Sequence, residues 1–446
     1  LTLINILIFV GALGILVTVH EFGHLIVAKM FGIYVEKFSI GFGPKLLAYK
    51  SKTTEYRLSL LPLGGYVKMK GENADEQKPD EDSFSNKAWW KRALVTFGGP
   101  FFNLLFALFL FTIMYGLGKT YEDHYPVIAE ADSLYSGYFR SGDEILTVND
   151  KEIYGFNQVA EFLNQDGINT FTIERNQRKE TIETDAITPE KWVTFLHPTI
   201  PPKIGEVSPG MPAYRAGLKE GDLILEVDGV PVNKWTEMRK AIINSEKPKL
   251  DFLIERNGTR FTKTILLEEN LLSNGQKMIG VTQYMPVKYK ERYSLGKCLV
   301  NSGTMTANFI VANYAGFYYL IKNPQMLKSS VGGPVMMYSL TKQSTSKGLD
   351  TLIGFIAALS LILMIMNLLP IPILDGGQIF FYTIEGITGK ALPLKVQMLL
   401  QQIGLFLLLF LMMFAFYSDF TQIFIRNQSI RSDTERQEMV PAELQE

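Results

Sequence analysis

"LVTVHEFGHLIVAKM", residues 16–30, combines two signals in one segment. His20 and His24 stand four residues apart around Glu21, the H-E-x-x-H spacing that puts two imidazoles on one helix face. The same residues belong to an apolar run from 3 to 28, long enough to cross the hydrocarbon core of a bilayer. Three more runs share that character: "ALVTFGGPFFNLLFALFLFTIMYGLG" from Ala93, "LIGFIAALSLILMIMNLL" from Leu352, and "VQMLLQQIGLFLLLFLMMFAFY" from Val396. In a chain of 446 residues, 47% of them apolar, these runs predict a polytopic α-helical membrane protein with four transmembrane helices, at 1–30, 93–118, 350–378 and 395–418. The first run has neither the basic flank nor the small-residue cleavage site of a signal peptide, so it reads as a retained span.

Charge and cysteine content narrow the chemistry. A formal net charge of -1 gives no sign of a nucleic-acid partner, and the single cysteine, Cys298, excludes an internal disulfide or a thiolate cluster. Any metal must then be held by nitrogen and oxygen. Residues 29–92 carry twelve Lys or Arg, which predicts a cytoplasmic loop between spans one and two, with the N-terminus outside. Within it, "SFSNKAWWKRALV" (83–95) reads as an interfacial helix anchored by Trp89 and Trp90. The long segment between spans two and three is then extracytoplasmic.

That segment repeats itself. "SGDEILTVNDKEI" (141–153) aligns with "EGDLILEVDGVPV" (220–232), and "TIERNQ" (172–177) with "LIERNG" (253–258), at offsets of 79 and 81 residues. Alternating apolar positions running into Asn149-Asp150 and Asp228-Gly229 predict strands closed by tight turns. Two tandem β-rich domains follow, 121–200 and 201–287. They resemble PDZ domains, which implies grooves that take an extended peptide as an added strand. In the second, "SPGMPAYRAGLKEGD" (208–222) would border the groove; the first has the shorter "ADSLYSGYFRSGD" (131–143), which puts its peptide binding in doubt. The alternative is a pair of rigid spacers. Residues 288–349 read as an extracytoplasmic, membrane-associated helical segment, with "NFIVANYAGFYYLI" (308–321) too short to span, and 425–446 as a disordered polar tail.

Zinc catalysis uses three protein ligands and keeps a position for water, so a third ligand must join His20 and His24. His124 and His197 fall in the extracytoplasmic segment. The best acid is Asp375 in "NLLPIPILDGGQ" (367–378), where Pro370 and Pro372 interrupt the third span and Gly376-Gly377 permit a sharp turn. Irregular backbone at membrane depth is tolerated where it is buried in protein or lines a wet cavity. Spans one and three run in the same direction, which brings Asp375 to the depth of the two histidines. Glu21, beside the ligands and not one of them, is the candidate general base. The competing readings are a pair of hydrogen-bonded core histidines and a turn-forming Asp-Gly.

These residues resemble the site-2 intramembrane metalloproteases over nearly the whole chain to about residue 424. The resemblance rests on "HEFGH", "NLLPIPILDGG", "GFGP" (41–44), "LPLGGYVKM" (61–69), "GGPFFN" (98–103) and the tandem repeats. It implies Zn2+ held by His20, His24 and Asp375, with Glu21 catalytic. It also implies substrate contacts at Asn367, Pro370 and Pro372, and a membrane-associated β-hairpin, "YRLSLLPLGGYVKMKGE" (56–72), whose Gly64, Gly65 and Tyr66 present a strand edge near the site. The implied setting is a bacterial inner membrane, with the PDZ-like domains periplasmic and the active site toward the cytoplasm. The implied partners are membrane lipid and transmembrane substrates, single-span anti-sigma factors already trimmed by a first protease and remnant signal peptides, with the PDZ-like domains excluding bulky ones. The rival function is a non-hydrolytic membrane scaffold braced by a structural metal, its PDZ modules recruiting peptides.

Overall fold

Apolar residues surround Thr2–Met30 on every side, and this stretch forms one helix, α1. A computed structural model describes residues 2–72, 80–198, 200–208, 211–270, 276–323 and 332–438. Two units separate in it, Leu1–Lys119 with Arg292–Ser418, and Thr120–Glu291 with Asp419–Glu446. Among the described residues four helices are long and apolar enough to cross a membrane: Leu3–Met30, Trp89–Leu117, Leu349–Asn367 and Leu394–Thr421.

In the first unit the second span, α2 (Trp89–Leu117), is the common partner, packing against α1, Leu295–Lys322, Leu349–Asn367 and Asp375–Thr388. Close approach to α1 depends on two glycines. A Cβ added to Gly23 would fall 2.2 Å from the Gly98 carbonyl oxygen, so the two backbones touch, the small-residue contact that helices use where burial alone gives no drive. Farther along α2, Ala107, Phe111 and Met114 pack with Cys298 and with Ala357, Leu361 and Ile365 of the third span.

Between α1 and α2 lie two long strands, β1 (Val35–Lys50) and β2 (Glu55–Met69). Ser39 is opposite both Tyr66 and Arg57, and Ile40 opposite both Gly65 and Leu58, so the 37–40 stretch is paired along both edges. The 65–69 stretch is paired on the 35–40 side, and no strand covers its other edge among the described residues. Phe38, Val67 and Met69 bury this end against Leu25, Ala28 and Val95, while Leu46, Leu47 and Tyr49 at the far end are exposed.

Several boundaries differ from expectation. Trp89 and Trp90 open α2 itself, preceded only by a short turn at Phe84–Asn86, so no separate interfacial helix stands there. The expected 14-residue helix at 308–321 is part of a 28-residue helix, Leu295–Lys322. Its first half was masked in the sequence by Ser302 and Thr306, which turn inward; Thr112 of α2 donates to Ser302 at 3.1 Å. The third span ends at Asn367, and a separate helix, Asp375–Thr388, starts on the far side of Pro370 and Pro372. The tail expected to be disordered from 425 continues the last helix to Glu438, since no Gly or Pro interrupts the chain between Gly404 and Pro441; residues 439–446 lie outside the described ones.

The second unit repeats one design. Each half has a four-stranded sheet with the same strand order, in chain positions second, first, third, fourth: Lys151–Glu152, Glu144–Val148, Asn169–Arg175 and Arg178–Thr184 in one, Val230–Pro231, Leu223–Val227, Lys249–Arg256 and Thr259–Leu266 in the other. The turns are left-handed at equivalent places, Asn149-Asp150 and Asp228-Gly229, as tight hairpins require. The aspartate of each G-D pair is buried and meets the arginine of each I-E-R: Asp143 to Arg175 at 2.7 Å, Asp222 to Arg256 at 2.6 Å. Each also accepts a backbone N–H, from Arg140 and Lys219. The repeated motif is thus a buried ion pair that ties the loop to the third strand. Removing one partner of such a pair leaves an uncompensated charge, so Asp222→Ala should cost about 3–5 kcal/mol. Faster amide exchange across Lys249–Arg256 is the expected readout; unchanged protection there would refute it.

The halves differ at one wall. In the second, the nine-residue helix Trp235–Ile243 faces Gln276–Val281 across a cleft of about 240 Å³. In the first, the matching helix is reduced to Val159–Phe162, and Trp192 from Pro189–Phe195 is fully buried against Phe139, Phe156 and Phe171.

Candidate metal centre

Helical spacing on α1 and the break after Asn367 bring three predicted residues together. His20 Nε2 and His24 Nε2 are 3.3 Å apart, and Asp375 Oδ2 lies 3.1 Å from the first and 3.7 Å from the second. Both histidines are buried. A tetrahedral zinc site with bonds of about 2.0–2.1 Å has edges of about 3.4 Å, so the three atoms are spaced as ligands of one ion. Among the described residues this is the one cluster of three or more metal-ligating side chains.

Each histidine has its other ring nitrogen engaged by α2. His24 Nδ1 is 2.9 Å from the Val95 carbonyl, which can only accept, so Nδ1 carries the proton and Nε2 offers a lone pair. The Asn103 amide lies 3.1 Å from His20 Nδ1. Asn103 Oδ1 is otherwise a buried acceptor with no partner, and turning the amide about places that oxygen on the Nδ1 proton. Asp375 Oδ2 is likewise buried with no hydrogen-bond donor, which is where a cation belongs. Metal-binding histidines commonly donate their second nitrogen in this way. The donor set fits Zn2+.

Gly99 makes the fit possible. A Cβ there would sit 2.5 Å from His24 Nε2 and 2.7 Å from His20 Cε1, so the imidazoles rest on bare backbone. Val95, Gly99 and Asn103 follow one face of α2 at four-residue intervals. Their roles are not visible in the sequence, although "GGPFFN" contains the last two; the spacing gains meaning only beside the histidines of α1.

The other predicted residues divide. Gly65 lies directly against Glu21: its added Cβ would be 3.1 Å from Glu21 Cγ and 2.7 Å from the Ser39 carbonyl oxygen, while the Val67 backbone N–H reaches the Glu21 carboxylate. Gly64 and Tyr66 both pack against Phe42. A Cβ at Gly64 would meet the Phe42 ring at 2.1 Å, and the same ring stacks on Tyr66 with centroids 6.4 Å apart. Asn367 is the last residue of the third span, followed by the irregular 368–374 stretch holding Pro370 and Pro372. Gly376 and Gly377 permit the turn into the helix Asp375–Thr388; added Cβ atoms would strike the Leu368 and Ile371 carbonyls at 2.3 and 2.2 Å.

Residues 8–411 match peptidase family M50. The chain belongs to that family. Its relatives include a protein of Borreliella burgdorferi named as a zinc metalloprotease, 32% identical over 93% of this chain and 98% of its own. The regulator of sigma-E protease RseP of Escherichia coli is 31% identical over 93% and 98% of the two chains. A solved PDZ domain of an SdrC-like protein from Listeria monocytogenes covers 18% of this chain and 84% of its own at 23% identity, with a TM-score of 0.17. As an M50 peptidase the chain is a membrane-embedded metalloprotease of the site-2 type. The scaffold reading is not favoured: a structural zinc normally takes four protein ligands, and the cluster offers three.

Proposed function

We propose that this peptidase cuts peptide bonds inside transmembrane segments of other membrane proteins, with zinc held by His20, His24 and Asp375 and with Glu21 as general base. The observation that carries the reading is the buried three-ligand cluster with Glu21 between it and an uncovered strand edge. Bound zinc supplies Lewis acidity, polarising a carbonyl and acidifying a water. The Glu21 carboxylate takes a proton from the attacking water and delivers it to the departing amine nitrogen. A transmembrane helix hides its peptide groups in its own hydrogen bonds, so cleavage needs local unwinding. The 65–69 edge holds the unwound backbone as an added strand, and Gly65, having no side chain, lets that strand lie directly against Glu21. Asn367 and the stretch holding Pro370 and Pro372 face the same substrate with backbone groups that no helix ladder satisfies.

The substrate class is a single-span protein already shortened on its extracytoplasmic side, of the anti-sigma-factor kind, together with remnant signal peptides. The chain lies in a bacterial inner membrane, with residues 121–287 periplasmic and the site toward the cytoplasm. These residues form tandem PDZ-like domains that exclude bulky, uncut substrates, and the second binds peptide at the cleft between Trp235–Ile243 and Gln276–Val281. The test compares full-length and truncated single-span substrates in proteoliposomes, using enzyme with and without residues 121–287. Chelation should stop all cleavage and zinc restore it, and the deletion should admit the full-length substrate. Cleavage that persists under chelation defeats the metal assignment; equal rates in all four pairings defeat the filter.

A further inference from the structure

A side-chain ligand is only as well placed as the element that carries it, and Asp375 is the first residue of its helix. On its N-terminal side lies the 368–374 stretch, in which Pro370 and Pro372 contribute no N–H to a ladder. Asp375–Thr388 is therefore a rod of about 20 Å, at 1.5 Å per residue, whose tilt fixes the ligand at its end.

The other end of that rod is gripped by the first turn of α2. The Arg92 guanidinium pairs with Glu385, both side chains being largely buried, and lies 4.8 Å from the Tyr382 ring centroid. Arg92 Nε is tied to the Lys87 carbonyl at 3.0 Å, so the guanidinium is fixed from behind. The Phe84 and Tyr382 rings meet edge to face, with centroids 6.1 Å apart. A Cβ at Gly386 would fall 2.4 Å from Trp89 Cε2, so the indole lies flat on the helix backbone. Three residues of one turn, Tyr382, Glu385 and Gly386, thus contact the residues just before α2 or in its first turn. Val95, whose carbonyl orients His24, is one turn farther along α2, and Asn103, which faces His20, two turns beyond that.

We infer that Arg92 and Glu385 are positioning residues for the metal: their pair, seated on Tyr382 and beside Trp89 packed on Gly386, sets the ligand helix against α2 so that Asp375 meets the histidines at ligand spacing. The inference rests on the ligand assignment proposed above. An ordinary packing contact would affect stability without singling out metal affinity.

The test measures zinc affinity by chelator competition on the full-length protein in detergent, with helix content followed by circular dichroism. Asp375→Asn is the reference and should weaken zinc by about 100-fold or more, as loss of a ligand charge requires. Arg92→Met and Glu385→Gln should each weaken it by about 10- to 100-fold at unchanged helix content, the range for groups that orient a ligand. The exchanged pair, Arg92→Glu with Glu385→Arg, should recover most of that loss, because the coupling resides in the pair. Wild-type affinity in Asp375→Asn overturns the ligand assignment and the inference with it. A weakened Asp375→Asn beside wild-type affinity in Glu385→Gln overturns the positioning role alone, and so does an exchanged pair that recovers nothing. Glu385→Gln keeps the side-chain shape, so it decides the matter even where Arg92→Met does not fold.

Discussion

Glu21→Gln is expected to keep its metal and to lose cleavage of a transmembrane test substrate by about 10²- to 10⁴-fold, the usual share of a positioned general base. The carboxylate is not one of the three clustered ligand groups, so the amide should leave His20, His24 and Asp375 undisturbed. Shape is preserved as well. Gly65 packs on the Cγ that Glu and Gln share, and the amide oxygen can still accept from the Val67 N–H. What disappears is the capacity to take and return a proton. Product formation in proteoliposomes, measured beside bound zinc, checks both halves: full zinc with wild-type turnover removes Glu21 from the mechanism, and lost zinc makes it a structural residue.

The second large effect concerns a residue with no side chain. Gly99→Ala should weaken zinc binding by about 100-fold while leaving the helices folded, because a displaced ligand is felt at the metal before it is felt by the fold. Alanine favours a helix over glycine by roughly 0.5–1 kcal/mol, so α2 itself gains. The added methyl, however, falls within 2.7 Å of both imidazoles, whose opposite nitrogens are held by Val95 and Asn103 and cannot retreat freely. Chelator competition with a thermal melt separates the two. Unaltered affinity would mean that the histidines move aside; a collapse in melting temperature would mean that the site and the helix pair are one packing problem.

The spans, and His20, His24 and Asp375 as a candidate cluster, were legible because their signals are local. A four-residue histidine spacing, a run of lipid-soluble side chains and a Pro-x-Pro before Asp-Gly-Gly each carry their meaning within a dozen residues. The two β-rich domains were legible for a different reason: their G-D and I-E-R segments recur, so comparing the halves exposes the repeat, whereas the pairing of Asp222 with Arg256 shows only in the fold. Long-range partnerships stayed hidden. Asn103 is one asparagine in an apolar helix until His20 is seen across from it, and Glu385 has no visible reason until Arg92 is placed beside it. The helix Leu295–Lys322 was underestimated because its polar residues face α2, so local hydropathy fell where burial was greatest. The continuation of the last helix to Glu438 was hidden because a run of charged residues has the composition of a disordered tail.

His20 and Asp375 are separated by most of the chain, and that distance has a consequence for biosynthesis. Synthesis proceeds from the N-terminus, and domains fold in the order they emerge. When α1 and α2 first pair, their glycines are in contact and both imidazoles are oriented, but the carboxylate ligand and the helix that aims it are still unmade. With His20, His24 and Asp375 as the proposed ligands, the site is complete only once the helix Asp375–Thr388 has been made, late in synthesis.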